Sequence, residues 1–444
     1  MMIAQSISRR QLLGGLAAGS VLTVLGCSSA TEEPTSTASP GPGSEEIVGN
    51  SNVTVYAWTN GPVIDDNFSK SVDMFNEEFS GKFSADINFL PYDQYWQKIQ
   101  LQYASNQPFD MYYWDVQAYA HYKADLLQSN QAAIEAAGLE KTDEYPAALW
   151  DPWRFDGSDL YGIPENLQSV VFFYNKTHFD EAGLEYPNPD WTWEKVAETA
   201  PLLTQKDGDK VIRWGLDIGT LGVWWGAQAL SWAAGSAFFD KPLEPTKFQM
   251  TDPENVEILR FIQDLMWENH IAPRPDERAA AGEAGGFASG QYSMMADGTW
   301  AMSGFKDMTD EWDMTSLPLW KGESVAPYFL GGWVIPAKSS AISAAEAFAT
   351  WRAPTFQAQM AKDNDWIPIL NSARESSDML ASLPAGFKEA LDGIADARIG
   401  DLYHSNSQQM LNEVFFPLWD QLTRDQLTPE DAASKIQEQA SAFL

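Results

Sequence analysis

Strand-like and helix-like patterns alternate without interruption from residue 51 to residue 115, and this order restricts the fold more than any other feature. "SNVTVYAWTNG" (51–61) alternates apolar and polar residues and then breaks at a polar, Gly-containing turn. Phe68, Val72, Phe75 and Phe79 follow at helical spacing. "SADINFLPY" reads as a second strand, and the next segment places Trp96, Ile99 and Tyr103 on one helix face. "PFDMYYWD" is a third strand. A β-α-β-α-β order implies a parallel sheet with crossover helices, so the expected class is α/β. Open sheets of this kind bind ligands at the carboxyl ends of their strands. Two such ends are Trp58-Thr59-Asn60 and Trp114-Asp115, each pairing an indole with a polar group.

The segment ahead of this pattern has a different character. Arg9-Arg10 precede an apolar, small-residue run from Leu12 to Gly26, too short to span a hydrocarbon core of roughly 30 Å. Residues 1–26 therefore read as a signal peptide, with Tat-type and Sec-type export both open. Val24-Leu25-Gly26-Cys27 resembles the bacterial lipobox, which makes Cys27, the chain's only cysteine, the expected lipidation site. Residues 27–50 are rich in Ser, Thr, Pro, Gly and Glu and form a disordered tether. The expected location is extracytoplasmic, on the outer face of the cell membrane or in the periplasm, with the membrane touched through the lipid alone. No disulfide is available to the folded body.

The formal charge is −34, and removing Arg9 and Arg10 with the leader makes it two charges more negative. That balance disfavours nucleic acid, whose phosphates need basic patches. It suits a neutral or cationic ligand, although a solvated acidic surface is the plainer explanation. The 19 tryptophans are the unusual count. Many belong in a core, but flat indoles also suit the C–H faces of sugar rings, with Asp, Glu, Asn and Gln reading the hydroxyls. His121, His178, His270 and His404 have no metal-ligand spacing, and neither a G-x-S-x-G elbow nor a phosphate loop occurs. Asp207-Gly208-Asp209 reads as a hairpin turn. No cofactor or metal is expected.

Further along, Asp190 or Thr192 caps a helix carrying Val196, Ala200 and Leu203. Asp252 with Pro253 opens another, carrying Leu259, Ile262 and Met266, and Thr428 with Pro429 and Asp431 opens the last. A strand is expected over Val170–Tyr174. Trp96, Trp267, Trp351 and Trp419 fall on apolar helix faces and read as core.

Ordered blocks carry a resemblance. Tyr161-Gly-Ile-Pro164, Phe173-Tyr-Asn-Lys176, Ala182-Gly-Leu184 and Trp191-Thr-Trp-Glu194 come first. Gly290 to Trp300, Leu330-Gly-Gly-Trp-Val-Ile-Pro336, Ile367 to Asn371 and Leu427-Thr-Pro-Glu430 follow. Together they resemble the family 1 extracellular solute-binding proteins of ABC sugar importers, a maltose-binding-protein-like group. The resemblance implies a two-lobed periplasmic-binding-protein fold of type II, with discontinuous lobes joined by a multi-strand hinge. It puts lobe 1 at 47–165 and 331–385, and lobe 2 at 166–330 and 386–444.

The same resemblance implies a monomeric, non-enzymatic binder that carries a di- or oligosaccharide to the permease transmembrane subunits. Its implied contacts are Trp58, Asn60, Trp114, Glu165, Asn166, Trp300, Gly332 and Trp333, with Gly331 beside them, and Asp115 joins them from the strand-end reading. Trp224, Trp225 and Tyr403 are added as aromatic candidates near the cleft. Thr299 stands where proline is common before Trp300, and Gln117 where maltose binders often carry an acid. With 62 acidic residues, a lipid-anchored glycoside hydrolase or lyase is an alternative, since it needs only two suitably spaced carboxylates. A non-transport polysaccharide-binding surface protein is another.

Overall fold

The computed structural model describes residues 51–444 except 60, 108, 115–117, 146–148, 156, 282–284, 364–366, 377–382 and 393–396. The leader, the tether with Cys27, and the site candidates Asn60 and Asp115 lie outside the described residues. No helix among the described residues is long and apolar enough to cross a membrane.

The chain opens with β1 (Ser51–Trp58), α1 (Pro62–Glu78), β2 (Phe83–Leu90), α2 (Tyr92–Ala104) and β3 (Met111–Tyr113). β1 lies between β2 and β3 and runs parallel to both, as the alternation requires. Val53, Val55 and Ala57 are buried from one face of β1, and α1 covers the sheet with Phe68, Val72 and Phe75. The next strand, β4 (Gly162–Asn175), has 14 residues and every one is buried. It extends well beyond the expected Val170–Tyr174. The reason is the company it keeps along its length.

After β4 come the hairpin β5 (Gln205–Asp207) and β6 (Lys210–Arg213), then β7 (Met294–Gly298), β8 (Trp312–Thr315), β9 (Pro327–Val334), β10 (Ile367–Pro368) and β11 (Arg398–Ile399). The first half of β4 pairs antiparallel with β9, and its second half pairs with β7 and β8. β9 also pairs with β3, giving the order β10-β4-β9-β3-β1-β2, and β11 joins its other end. A strand in two ladders has no solvent face, so its residues are buried along the whole length instead of alternating with exposed ones. Ile163, Leu167, Val171 and Phe173 of β4 enter one hydrophobic core, and Val170, Phe172 and Tyr174 enter a second.

The first core gathers β1–β3, α1, α2 and the helix Ile342–Asp363, and reaches across to Trp214, Phe287, Tyr292 and Phe305. The second gathers the helices Trp193–Leu203, Trp224–Ala233, Pro253–Met266 and Pro429–Ser441. Pro164 lacks an N–H, and the β4–β9 register shifts between Pro164 and Asn166. The bulge turns Glu165 inward and sets Asn166 and Gln168 on a common face.

Capping follows the sequence with one difference. Thr192 accepts the Lys195 N–H at 3.2 Å and Thr428 accepts the Asp431 N–H at 3.1 Å. Asp252 occupies the N-cap of its helix without a side-chain cap bond; its carboxylate instead accepts from Gln249 Nε2 at 3.3 Å. Asp207-Gly208-Asp209 turns the β5–β6 hairpin, with Gly208 at a φ of 61° that favours glycine.

Candidate functional site

A cavity of about 710 Å³ opens where the carboxyl ends of β1 and β3 meet residues of both cores. Trp58 ends β1 and Trp114 follows β3, so both strand-end indoles line it. α2 adds Tyr92, Trp96, Gln97 and Gln100 from one side. β4 adds Asn166 and Gln168, two residues apart and hence on one face. Across from these stand Trp224 and Trp225, the first two residues of their helix, together with Trp300 and the β9 residues Phe329 to Gly331. The C-terminal segment closes the wall with Asp401, Gln408, Leu411, Asn412 and Phe416.

The rings hold one another. Trp225 meets Phe329 edge-on at 5.1 Å and Trp300 at 5.8 Å, and Trp300 meets Phe329 at 5.7 Å. Opposite them, Trp58 packs edge-on against Tyr113 at 4.8 Å and Tyr92 at 5.5 Å. Trp114 is nearly fully buried, held by Trp153 at 5.2 Å and Phe155 at 5.0 Å. Trp58, Trp225 and Trp300 are half-buried and keep ring surface for a ligand.

The polar lining consists mostly of side-chain amides: Gln97, Gln100, Asn166, Gln168, Gln408 and Asn412. Asp401 is the single carboxylate, and no Lys, Arg or His lines the cavity among the described residues. Asn166 Nδ2 donates to the Tyr113 hydroxyl. Burial, and then the Glu165 carboxylate, hold the Tyr113 phenol well above its usual pKa, so it stays protonated. Such a wall reads hydroxyl groups by hydrogen bonds and apolar ring faces by contact. Among the described residues no His, Cys, Asp and Glu cluster fit for a metal occurs.

Four candidates lie off the wall. Glu165 is fully buried behind it, paired with Arg352, and accepts from Trp333 Nε1. Trp333 spends its N–H on that bond and packs between Tyr113 at 4.9 Å and Phe68 at 5.6 Å. A Cβ at Gly332 would meet the Trp153 ring at 2.6 Å, so that glycine admits an indole of the core and not a ligand. Gly331 does line the cavity, and a Cβ there would fall on the Tyr113 hydroxyl. Tyr403 sits behind Trp114, stacked at 6.4 Å, with its backbone N–H donated to the Pro242 carbonyl at 2.7 Å.

Several lining residues escaped the sequence reading. Tyr92, Trp96 and Gln100 recur at i, i+4 and i+8 on α2, a stripe hidden by the overlapping apolar face. Trp96, expected as core, is buried and also forms wall. Gln408, Asn412 and Phe416 repeat the same spacing near the C-terminus. Gln168 was signalled by its place two residues beyond Asn166.

Comparison with known proteins agrees with this architecture. The profile of the bacterial extracellular solute-binding protein family matches residues 50–352. The chain belongs to that family. Among curated relatives, an arabinooligosaccharide-binding protein of Halalkalibacterium halodurans is 28% identical over 196 residues. That segment is 43% of this chain and 42% of the relative, so the chain spans less than half the relative's length. Among solved structures, an ABC substrate-binding protein from Listeria monocytogenes in complex with cycloalternan superposes with a TM-score of 0.78 at 20% identity. The match covers 88% of this chain and 98% of that one. A maltose/maltodextrin-binding domain from Bdellovibrio bacteriovorus, bound to maltotriose, gives 0.72 at 14% identity, covering 88% and 99%. This solute-binding protein therefore has the type II periplasmic-binding-protein fold.

Proposed function

We propose that this solute-binding protein captures an uncharged di- or oligosaccharide in the 710 Å³ cavity and delivers it to an ABC permease. The observation that carries the reading is the wall itself: indoles from both sides, six amides and one carboxylate, with no cation among the described lining residues. Sugar rings present C–H faces to indoles and hydroxyls to amides, whereas a phosphate or carboxylate ligand calls for Arg or Lys. The volume lies within the range of roughly 300–1,000 Å³ usual for small-molecule sites. The names of the relatives, which bind arabinooligosaccharide, cycloalternan and maltotriose, agree in class.

In this reading Trp58, Trp114, Trp225 and Trp300 supply apolar contact, with Trp224 beside them, and Asn166 supplies direction; Asn60 and Asp115 belong at the same strand ends. The lobes are 47–165 with 331–385, and 166–330 with 386–444. Sugar touches both only when they close, so it shifts the open–closed equilibrium by its differential affinity. Cys27 carries the lipid that keeps the protein outside the cytoplasmic membrane, and the 27–50 tether lets the body reach the permease as a monomer. The role is binding without turnover.

A thermal-shift and calorimetric panel of arabinotriose, maltotriose, mannotriose and cycloalternan, with glycerol 3-phosphate as the anionic control, tests this. The expected result is saturable binding of at least one neutral sugar. Stabilisation should approach about 2.7 kcal/mol at a hundredfold excess over Kd, with the sugar recovered intact. Cleaved sugar would favour a glycoside hydrolase or lyase. Binding of glycerol 3-phosphate alone would overturn the neutral-ligand reading.

A further inference from the structure

We propose that Thr299 fixes the orientation of the Gln168 side-chain amide, making its NH2 group a preset donor to an oxygen of the bound sugar. The proposal rests on the sugar reading of the cavity. Gln168 lies on β4, 6% exposed, and lines the cavity. Thr299, 1% exposed, follows β7 on the other side of the β4 ladder.

The Thr299 hydroxyl accepts the Ser169 backbone N–H at 3.3 Å and donates its one hydrogen to Gln168 Oε1 at 2.5 Å. The amide oxygen is thereby engaged by Thr299, which does not itself line the cavity. Gln168 Nε2 remains buried with no hydrogen-bond partner among the described residues. Reversing the amide would place Nε2 against Thr299 and strip the hydroxyl hydrogen of this acceptor, so the observed orientation is the one the threonine selects. A buried donor without a partner is costly, and a ligand oxygen arriving there removes the cost.

The same wall holds two more orphaned polar atoms, the donor Trp224 Nε1 and the acceptor Gln408 Oε1. A ligand meeting all three must both accept and donate, as a sugar hydroxyl does and an ionised carboxylate does not. The arrangement is therefore a specificity device of this chain: Thr299 is the positioning residue and Gln168 the ligand contact.

Thr299→Val removes the hydroxyl at nearly constant shape, Thr299→Ser retains it, and Gln168→Glu removes the donor. The first measurement needs no ligand. The Gln168 side-chain NH2 resonances, assigned by their loss in Gln168→Glu, should move in Thr299→Val and return in Thr299→Ser, while the backbone amide spectrum stays that of the folded protein. The second is calorimetry with whichever of maltotriose and arabinotriose binds the wild type. Thr299→Val and Gln168→Glu should each weaken binding about tenfold, and Thr299→Ser should restore it to within about twofold. NH2 resonances unmoved by Thr299→Val, or unchanged affinity in Gln168→Glu, overturn the proposal. Should neither sugar bind the wild type, the functional reading fails separately, and the NH2 resonances still decide the orientation.

Discussion

At the scale of single residues, the tryptophans divide into two kinds that composition alone does not separate. Trp150, Trp153, Trp193 and Trp333 are fully enclosed, and their indoles are core. Trp58, Trp225 and Trp300 leave ring surface at the cavity. The difference predicts opposite outcomes for one substitution. Trp225→Ala and Trp300→Ala should each weaken sugar binding at least about tenfold, near 1.4 kcal/mol, while the ligand-free protein melts close to the wild type. Trp153→Ala should cost about 3–5 kcal/mol of stability, because it empties volume under Gly162 and Gly332, whose missing Cβ atoms make room for that ring. Calorimetry with the panel sugar and thermal melts separate the two. Trp58 and Trp114 were legible from the sequence because strand ends can be read from alternation. Trp333 was not: the block that contains it is recognisable, but which face of β9 it takes depends on the bulge at Glu165 and on the Arg352 partner 187 positions along the chain.

Among elements, β4 shows where sequence reading stops and why. Its apolar second half was visible as a strand; its first half, with Pro164, Glu165, Asn166 and Gln168, looks like a loop. It is a strand because β9 lies against it and because Glu165 is neutralised inside the protein by Arg352 on the helix Ile342–Asp363. Arg352 also donates Nε to Ser71 Oγ at 2.8 Å and lays its guanidinium over Phe68 at 4.5 Å and Phe356 at 4.9 Å. Removing one member of such a pair leaves a buried uncompensated charge. Arg352→Met should therefore destabilise the chain by about 3–5 kcal/mol, whereas Glu165→Gln with Arg352→Met should recover much of that loss. Chemical denaturation of the two variants checks it, and equal losses would show that packing of the guanidinium outweighs its charge. The amphipathic helices, by contrast, were readable from caps and spacing, since those signals are local. The cavity-facing stripes on α2 and near the C-terminus were not, because a polar stripe counts as solvent-facing until another element stands opposite it.

On the scale of the whole molecule, the charge of −34 and a cavity wall of indoles and amides with one carboxylate make a single argument. A field from that many carboxylates attracts cations and repels anions over about one Debye length, roughly 8–10 Å in physiological salt. It does no work on a neutral sugar. The affinity for the panel sugar should then be indifferent to ionic strength, staying within about twofold between 20 and 500 mM NaCl. A cationic ligand would lose affinity steeply over the same range, since added salt removes the attraction that brings it in. Calorimetric titration of the full-length folded body at both salt concentrations tests this directly. A loss of tenfold or more would move the ligand from neutral sugar to aminosugar or other cation, with Asp401 as the carboxylate that receives it. Closure adds an independent reading of the same titration. If sugar draws the two lobes together, the radius of gyration in solution scattering falls on saturation at both salt concentrations, because the contacts that favour the closed form are indoles and amides, which salt does not screen.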